Sequence, residues 1–133
     1  MKVMDIFAEF SIVLHEQKHN VMTADEIYLN IGQSISNAID EPHWTNAKLD
    51  IEIVGDGVVG YTGDYQVNST SVDLSVRKIP RDIRNWLKEL HNITTEGGNN
   101  KWNRAIFTLK PDGKFDMEFI WDQELHDEIE KLS

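Results

Sequence analysis

Ala105-Ile106-Phe107-Thr108-Leu109-Lys110-Pro111-Asp112-Gly113-Lys114-Phe115-Asp116-Met117-Glu118-Phe119-Ile120-Trp121 is the stretch that decides the fold. Ala105, Phe107 and Leu109 alternate with more polar neighbours, Pro111-Asp112-Gly113 supplies a turn, and Phe115, Met117, Phe119 and Trp121 alternate down the return. A period of two sends successive side chains to opposite faces of a strand, so the pattern predicts an antiparallel hairpin with one buried, largely aromatic face. The other face carries Ile106, Thr108 and Lys110 beside Asp116, Glu118, Ile120 and Asp122.

Upstream, the same period recurs from Trp44, where Leu49, Ile51 and Ile53 alternate with Lys48, Asp50 and Glu52. Gly55-Asp56-Gly57 turns the chain into a second β-rich run, about 58 to 65, and Val72, Leu74 and Val76 alternate in a third, about 70 to 76. Gly60 and Gly63 predict a bulge or a weakened middle strand. Helical spacing appears elsewhere. Val3, Ile6, Phe7, Phe10, Val13 and Leu14 repeat at i, i+3, i+4 and i+7 over about 2 to 18, with Asn20 as a stop. Thr23-Ala24-Asp25-Glu26 is a capping box that opens a second helix with Ile27, Ile31, Ile35, Ala38 and Ile39 inward and Pro42 beyond its end. Pro80 precedes a third, with Ile83, Trp86, Leu87 and Leu90 on one stripe, and a short one runs from about Gln123 to Leu132. The order is ααβββαββα. With hairpin connections and no βαβ alternation, it predicts an α+β fold: an antiparallel sheet of about five strands, helices mainly on one face, the other face left open.

Composition narrows the function. The 133 residues suit one domain, 1–133, with 40% hydrophobic residues and four tryptophans for its core. No linker or repeat divides it. The absence of cysteine excludes a disulfide framework, a thiolate metal site and a Cys nucleophile, and fits a reducing, cytoplasmic compartment. Asp5 and Glu9 interrupt the first apolar stretch, so neither a signal core nor a membrane span is expected there. Without secretion the triplets Asn68-Ser69-Thr70 and Asn92-Ile93-Thr94 are not glycosylation sites. A net charge of -10 repels nucleic acid and anionic membrane but steers a basic protein towards this one.

Few patterns carry chemistry. His15-Glu16-Gln17-Lys18-His19 fits H-E-x-x-H, in which two imidazoles one helical turn apart can hold zinc beside a glutamate base. No third histidine follows at the spacing such sites use, Glu26 is the nearest further ligand, and both histidines fall on the polar flank near a helix end, where the dipole favours them. The pattern therefore reads as surface, with no metal, cofactor or catalytic residue assigned, and a zinc hydrolase remains the alternative. His126-Asp127-Glu128 on the last helix reads as a solvated face. Arg77, Lys78, Arg81, Arg84 and Lys88 form the one basic stretch, expected to pair with Asp82, Glu89 and the acidic sheet rather than to bind an anion. Residues 111 to 133 hold eight acidic side chains, from Asp112 to Glu130, against Lys114 and Lys131. Trp86 and Trp121 read as core or core edge, whereas Trp102, after a Gly/Asn loop, is a candidate interface anchor.

The run Lys101-Trp102-Asn103-Arg104, continuing through the hairpin to Trp121-Asp122, resembles the C-terminal hairpin of the YezG-like immunity (antitoxin) proteins of bacterial polymorphic toxin systems. The shared pattern is a Trp, an alternating strand ending in Phe-Thr-Leu, a turn ending Gly-Lys-Phe, and a strand ending in an aromatic-Asp pair. With the preceding helix and the Trp44 entry into the meander, the resemblance covers about residues 23–125. The family usually has Tyr where this chain has Trp121, and residues 1–20 are expected to add an extra N-terminal helix. The resemblance implies a protein that binds and inactivates a toxin, commonly a nuclease, with no catalytic residues. Joined to the charge pattern, it predicts a partner surface of Asp50, Glu52, Asp116, Glu118, Asp122 and Glu124 with Trp102 as anchor. An adaptor subunit unconnected with toxins is a further alternative.

Overall fold

Burial follows the alternation of the central strands. Ala47, Leu49, Ile51 and Ile53 are buried while Lys48, Asp50 and Glu52 between them are half-exposed, and Ala105, Phe107 and Leu109 are buried against half-exposed Arg104, Ile106 and Thr108. The computed structural model describes residues 2–5, 22–55, 57–98 and 100–132. In it the elements run β1 (Lys2–Asp5), α1 (Ala24–Ala38), β2 (Trp44–Val54), β3 (Val58–Val67), β4 (Thr70–Asp73), α2 (Ile83–Thr94), β5 (Arg104–Leu109), β6 (Lys114–Ile120) and α3 (Gln123–Lys131). The strands form one antiparallel sheet in the order β1-β6-β5-β2-β3-β4. The fold is α+β, with the expected meander and hairpin present.

β2 is the hub. Leu49 lies opposite Gly63 on β3 and Phe107 on β5, and Ile51 lies opposite Tyr61 and Ala105. Onto the apolar face so formed pack Ile27, Ile31 and Ile35 of α1 and Ile83, Leu87 and Leu90 of α2, all fully buried. Each such side chain withdrawn from water contributes about 1.5–3 kcal/mol. Tyr28 and Leu29, off the predicted stripe of α1, are buried too, and the Tyr28 ring lies 5.4 Å from that of Phe115, which stacks on Phe107 at 5.2 Å. Burial, and then the charge of Asp25, raises the Tyr28 pKa above its ordinary value. The capping box at α1 forms as its sequence requires: Glu26 N–H donates to Thr23 Oγ1 at 3.2 Å and Thr23 N–H donates back to Glu26 Oε1 at 3.2 Å.

Four expectations change. Lys2–Asp5, read as the start of a helix, is a strand that pairs with β6, Val3 opposite Asp116; the open backbone edge of β6 offers hydrogen bonds that a local helical period does not reveal. The rest of that expected helix, His15-Glu16-Gln17-Lys18-His19 included, lies outside the described residues. The middle strand has no bulge at its glycines: the β2–β3 register is continuous from Asn46↔Gln66 to Val54↔Val58, and the one shift falls between Trp44 and Asn46. Gly63 serves close approach instead, since a Cβ there would stand 2.8 Å from the Lys48 carbonyl oxygen and 2.9 Å from Leu74 Cδ2. The third strand stops at Asp73, after which Leu74 turns inward, its N–H bonded to the Gly63 carbonyl at 2.9 Å.

The fourth change concerns the aromatic face of the hairpin, which is buried only as far as Met117. Phe119 and Trp121 are 36% and 41% exposed. Among the described residues β1 pairs with β6 at residues 114 to 117, and the Phe119 ring lies 4.9 Å from that of Trp102.

Gly63→Ala tests the close approach. The added methyl meets the Lys48 backbone carbonyl as well as the buried Leu74 side chain, so the variant should lose about 1–3 kcal/mol of stability with an unchanged m-value in urea unfolding.

Candidate functional site

Register alone assembles the outward surface of the sheet. One row runs Asp116, Thr108, Lys48, Asp64, Asp73 across β6, β5, β2, β3 and β4; the next runs Glu118, Ile106, Asp50, Thr62; the third runs Ile120, Arg104, Glu52, Gly60. Neighbours across strands are about 5 Å apart and alternate residues along a strand about 7 Å apart. Six carboxylates thus share a lattice with two cations, Lys48 and Arg104. Helices α1 and α2 bury their apolar stripes against the opposite face, so among the described residues charge and core are separated by the thickness of the sheet.

Arg104 organises one edge of this surface. Its Nε donates to Asp122 Oδ2 at 2.7 Å and its Nη1 donates to Glu52 Oε2 at 3.0 Å. Asp122 does two jobs, because its other oxygen accepts from the Leu125 N–H at 3.0 Å as the N-cap of α3. Asn103 closes the junction: its Nδ2 donates to the Asp122 carbonyl at 2.9 Å and its Oδ1 accepts the Asp122 N–H at 2.7 Å. The Arg104 hydrogen bond, and after it the Leu125 amide, holds the Asp122 carboxyl below the usual carboxylate range. In return the bond to Asp122, with Glu52 adding its charge, raises Arg104 against the opposing effect of desolvation.

The seven predicted partner residues divide accordingly. Asp50 and Glu118 lie half-exposed and exposed on the face, Asp50 with Lys48 at 3.7 Å, and Glu124 is exposed in the first turn of α3. Glu52 and Asp122 are there too but are held by Arg104 and serve the sheet–helix junction. Asp116 is on the face with its Oδ1 shielded from solvent and without a hydrogen-bond partner. Trp102 is not an interface anchor. It is 1% exposed, its Nε1 donates to Thr94 Oγ1 at 2.7 Å, and its ring lies 4.8 Å edge-on from His91, so the polar loop before it delivers it into the core. Asp73, on the polar side of its strand's alternation, and Asp64 join the face through pairing with β3 and β2, and Asn103 and Arg104 take roles invisible before the fold brings Glu52 and Asp122 to them.

Other candidate chemistry is thin. The His126 ring lies tilted against that of Trp121 at 5.2 Å and approaches Glu130 at 4.0 Å on the solvated side of α3. A cleft of about 190 Å³ lies between these groups, His91 and the end of β2. Among the described residues no three His, Asp or Glu side chains are grouped to hold a metal ion, and no helix is long and apolar enough to cross a membrane. In the basic stretch the expected pairing fails. Lys78 pairs with Asp40, but Arg77, Arg81 and Arg84 make no ion pair with Asp82, Glu89 or the acidic sheet. The sheet face is turned away from them and Asp82 sits within the turn that starts α2. Set against known proteins, the chain matches no protein-family model and no curated protein.

The Asp122 shift has a signed consequence. Its folded-state value lies below an unfolded value of about 3.9, so its stabilisation is fully present above about pH 4 and is lost as pH falls through the folded value. Melting temperatures measured from pH 2 to 6 should fall on the acid side, and Asp122→Asn, which keeps an N-cap oxygen but not the charge, should flatten that decline.

Proposed function

We propose that this protein works by occupancy, as an immunity protein that binds a basic toxin domain, a nuclease by preference, and blocks it without chemistry of its own. The observation that carries this reading is the outward sheet face, where Asp50, Asp64, Asp73, Asp116 and Glu118 converge from β2, β3, β4 and β6. A lattice of carboxylates on a hydrogen-bonded sheet costs little to order on binding, so a partner's Lys and Arg meet charges already in place. The net charge of -10 adds long-range attraction for such a partner. Ile106 and Ile120, half-exposed within the charges, supply apolar contact. The resemblance of the hairpin to YezG-like immunity proteins supports the same reading. A protein of this kind acts in the cytoplasm, where its target would do harm.

Co-expression with the product of the adjacent gene tests it. A stable complex with a basic, growth-inhibiting polypeptide is expected, with an on-rate that falls at least tenfold between 50 mM and 500 mM salt as the charges are screened. Changing Asp50, Asp64, Asp73 and Glu118 together to Lys should abolish both complex and protection while the melting temperature holds. Protection that survives this change would remove the sheet face from the mechanism.

A further inference from the structure

Three of the four arginines of this acidic chain, Arg77, Arg81 and Arg84, line one pocket. Its volume is about 480 Å³, and Tyr61, Val76 and Ile79 complete its wall. A cavity of roughly 300–1,000 Å³ is the usual size for a small-molecule site. The pocket is on the helix side of the sheet, since Tyr61 lies opposite the buried Ile51, and so faces away from the acidic surface.

The backbone that carries these exposed arginines is held by local hydrogen bonds. Arg77 sits in a tight turn closed by Lys78 N–H to Ser75 carbonyl at 3.1 Å and Ile79 N–H to Val76 carbonyl at 3.2 Å, and the buried Ile79 anchors that turn in the core. Arg81 and Arg84 sit on the turn that opens α2, where Ile83 N–H bonds the Pro80 carbonyl and Arg84 N–H the Arg81 carbonyl, both at 3.1 Å. The Arg84 guanidinium lies over the Tyr61 ring at 5.4 Å. Neighbouring Lys78 is neutralised by Asp40. The three arginines have no carboxylate within ion-pair distance among the described residues, in a chain with 23 acidic residues available to supply one.

We propose that this pocket binds a small phosphate monoester, its dianion held by Arg77, Arg81 and Arg84 and its organic group resting on Val76 and Tyr61. The guanidinium fork matches phosphate oxygens two at a time, and three such residues lining one pocket suit a doubly charged oxyanion better than a single carboxylate. The field of a chain at -10 repels an extended polyanion far more than a small dianion, which argues for a free metabolite-sized ester over nucleic acid or an acidic protein segment. This site is independent of the sheet face and of the immunity reading.

Titration calorimetry of the full chain at low salt, with phenyl phosphate, adenosine 5′-monophosphate, inorganic phosphate and a phosphoserine peptide as probes, tests the assignment. The two small esters should bind saturably at one site, at least tenfold more tightly than inorganic phosphate. The exposed double change Arg81→Gln, Arg84→Gln should weaken them at least tenfold, and Arg84→Lys, which keeps the charge and loses the fork, at least threefold. Circular dichroism confirms that each variant is folded, and the single Lys variant carries the test if the double one is not. No saturable binding of either ester, equal affinity for inorganic phosphate, tighter binding of the phosphopeptide, or affinity unmoved by Arg84→Lys would each overturn it.

Discussion

The pairing of β2 with strands on both sides organises everything else in this molecule. Each residue of Ala47 to Glu52 has a partner on β3 and another on β5, although β5 lies more than fifty residues further along the chain. Because pleating alternates side chains, this one register sends Leu49, Phe107 and Ile51 to the helices and Lys48, Asp50 and Glu52 to the other side at once. A slip by a single residue would exchange core and charge across the sheet. Burial of Ile27, Ile31, Ile35, Ile83, Leu87 and Leu90 against the apolar side makes such a slip prohibitive.

Charge is sorted by the same geometry. Carboxylates collect on the outward rows, with Arg104 joining Glu52 on β2 to Asp122 at the head of α3, so that the edge of the face and the last helix share an anchor. Such exposed pairs add little to stability one by one; their value here is positional, because Asp122 also caps α3 and is latched by Asn103. Three of the cations outside these pairs, Arg77, Arg81 and Arg84, line a pocket with Tyr61 on the far side of the sheet. The acidic face and the arginine-lined pocket thus lie on opposite sides of one domain, separated by the backbone layer between them.

Much of the fold was legible because it is written in short periods. The hairpin at 104–120, the alternation of β2, the capping box at Thr23 and the stripe of α2 are local patterns, each enforced by residues within one or two turns or one strand length. The acidic face was legible for the same reason at Asp50, Glu118 and the start of α3. What escaped was non-local. Lys2–Asp5 has helical spacing and becomes a strand because the edge of β6 is free to bond it. Trp102 follows a polar loop, yet its indole finds Thr94 and His91 on α2 and is buried. Phe119 has the phase of a core residue and is 36% exposed.

The amino-acid sequence by itself determined the element types from α1 onward, the two faces of the central strands β2 and β5, the acidity of one of them and the absence of cysteine chemistry. These depend on side-chain period and composition, which a linear string carries in full. Only the tertiary structure decided strand order, the addition of Asp64 and Asp73 to the acidic face, the capture of Glu52 and Asp122 by Arg104, and the gathering of three unpaired arginines around Tyr61. Each of those is a meeting of residues distant in sequence, and it is set by which hydrogen-bonding edges and apolar faces find one another when the sheet closes on its helices.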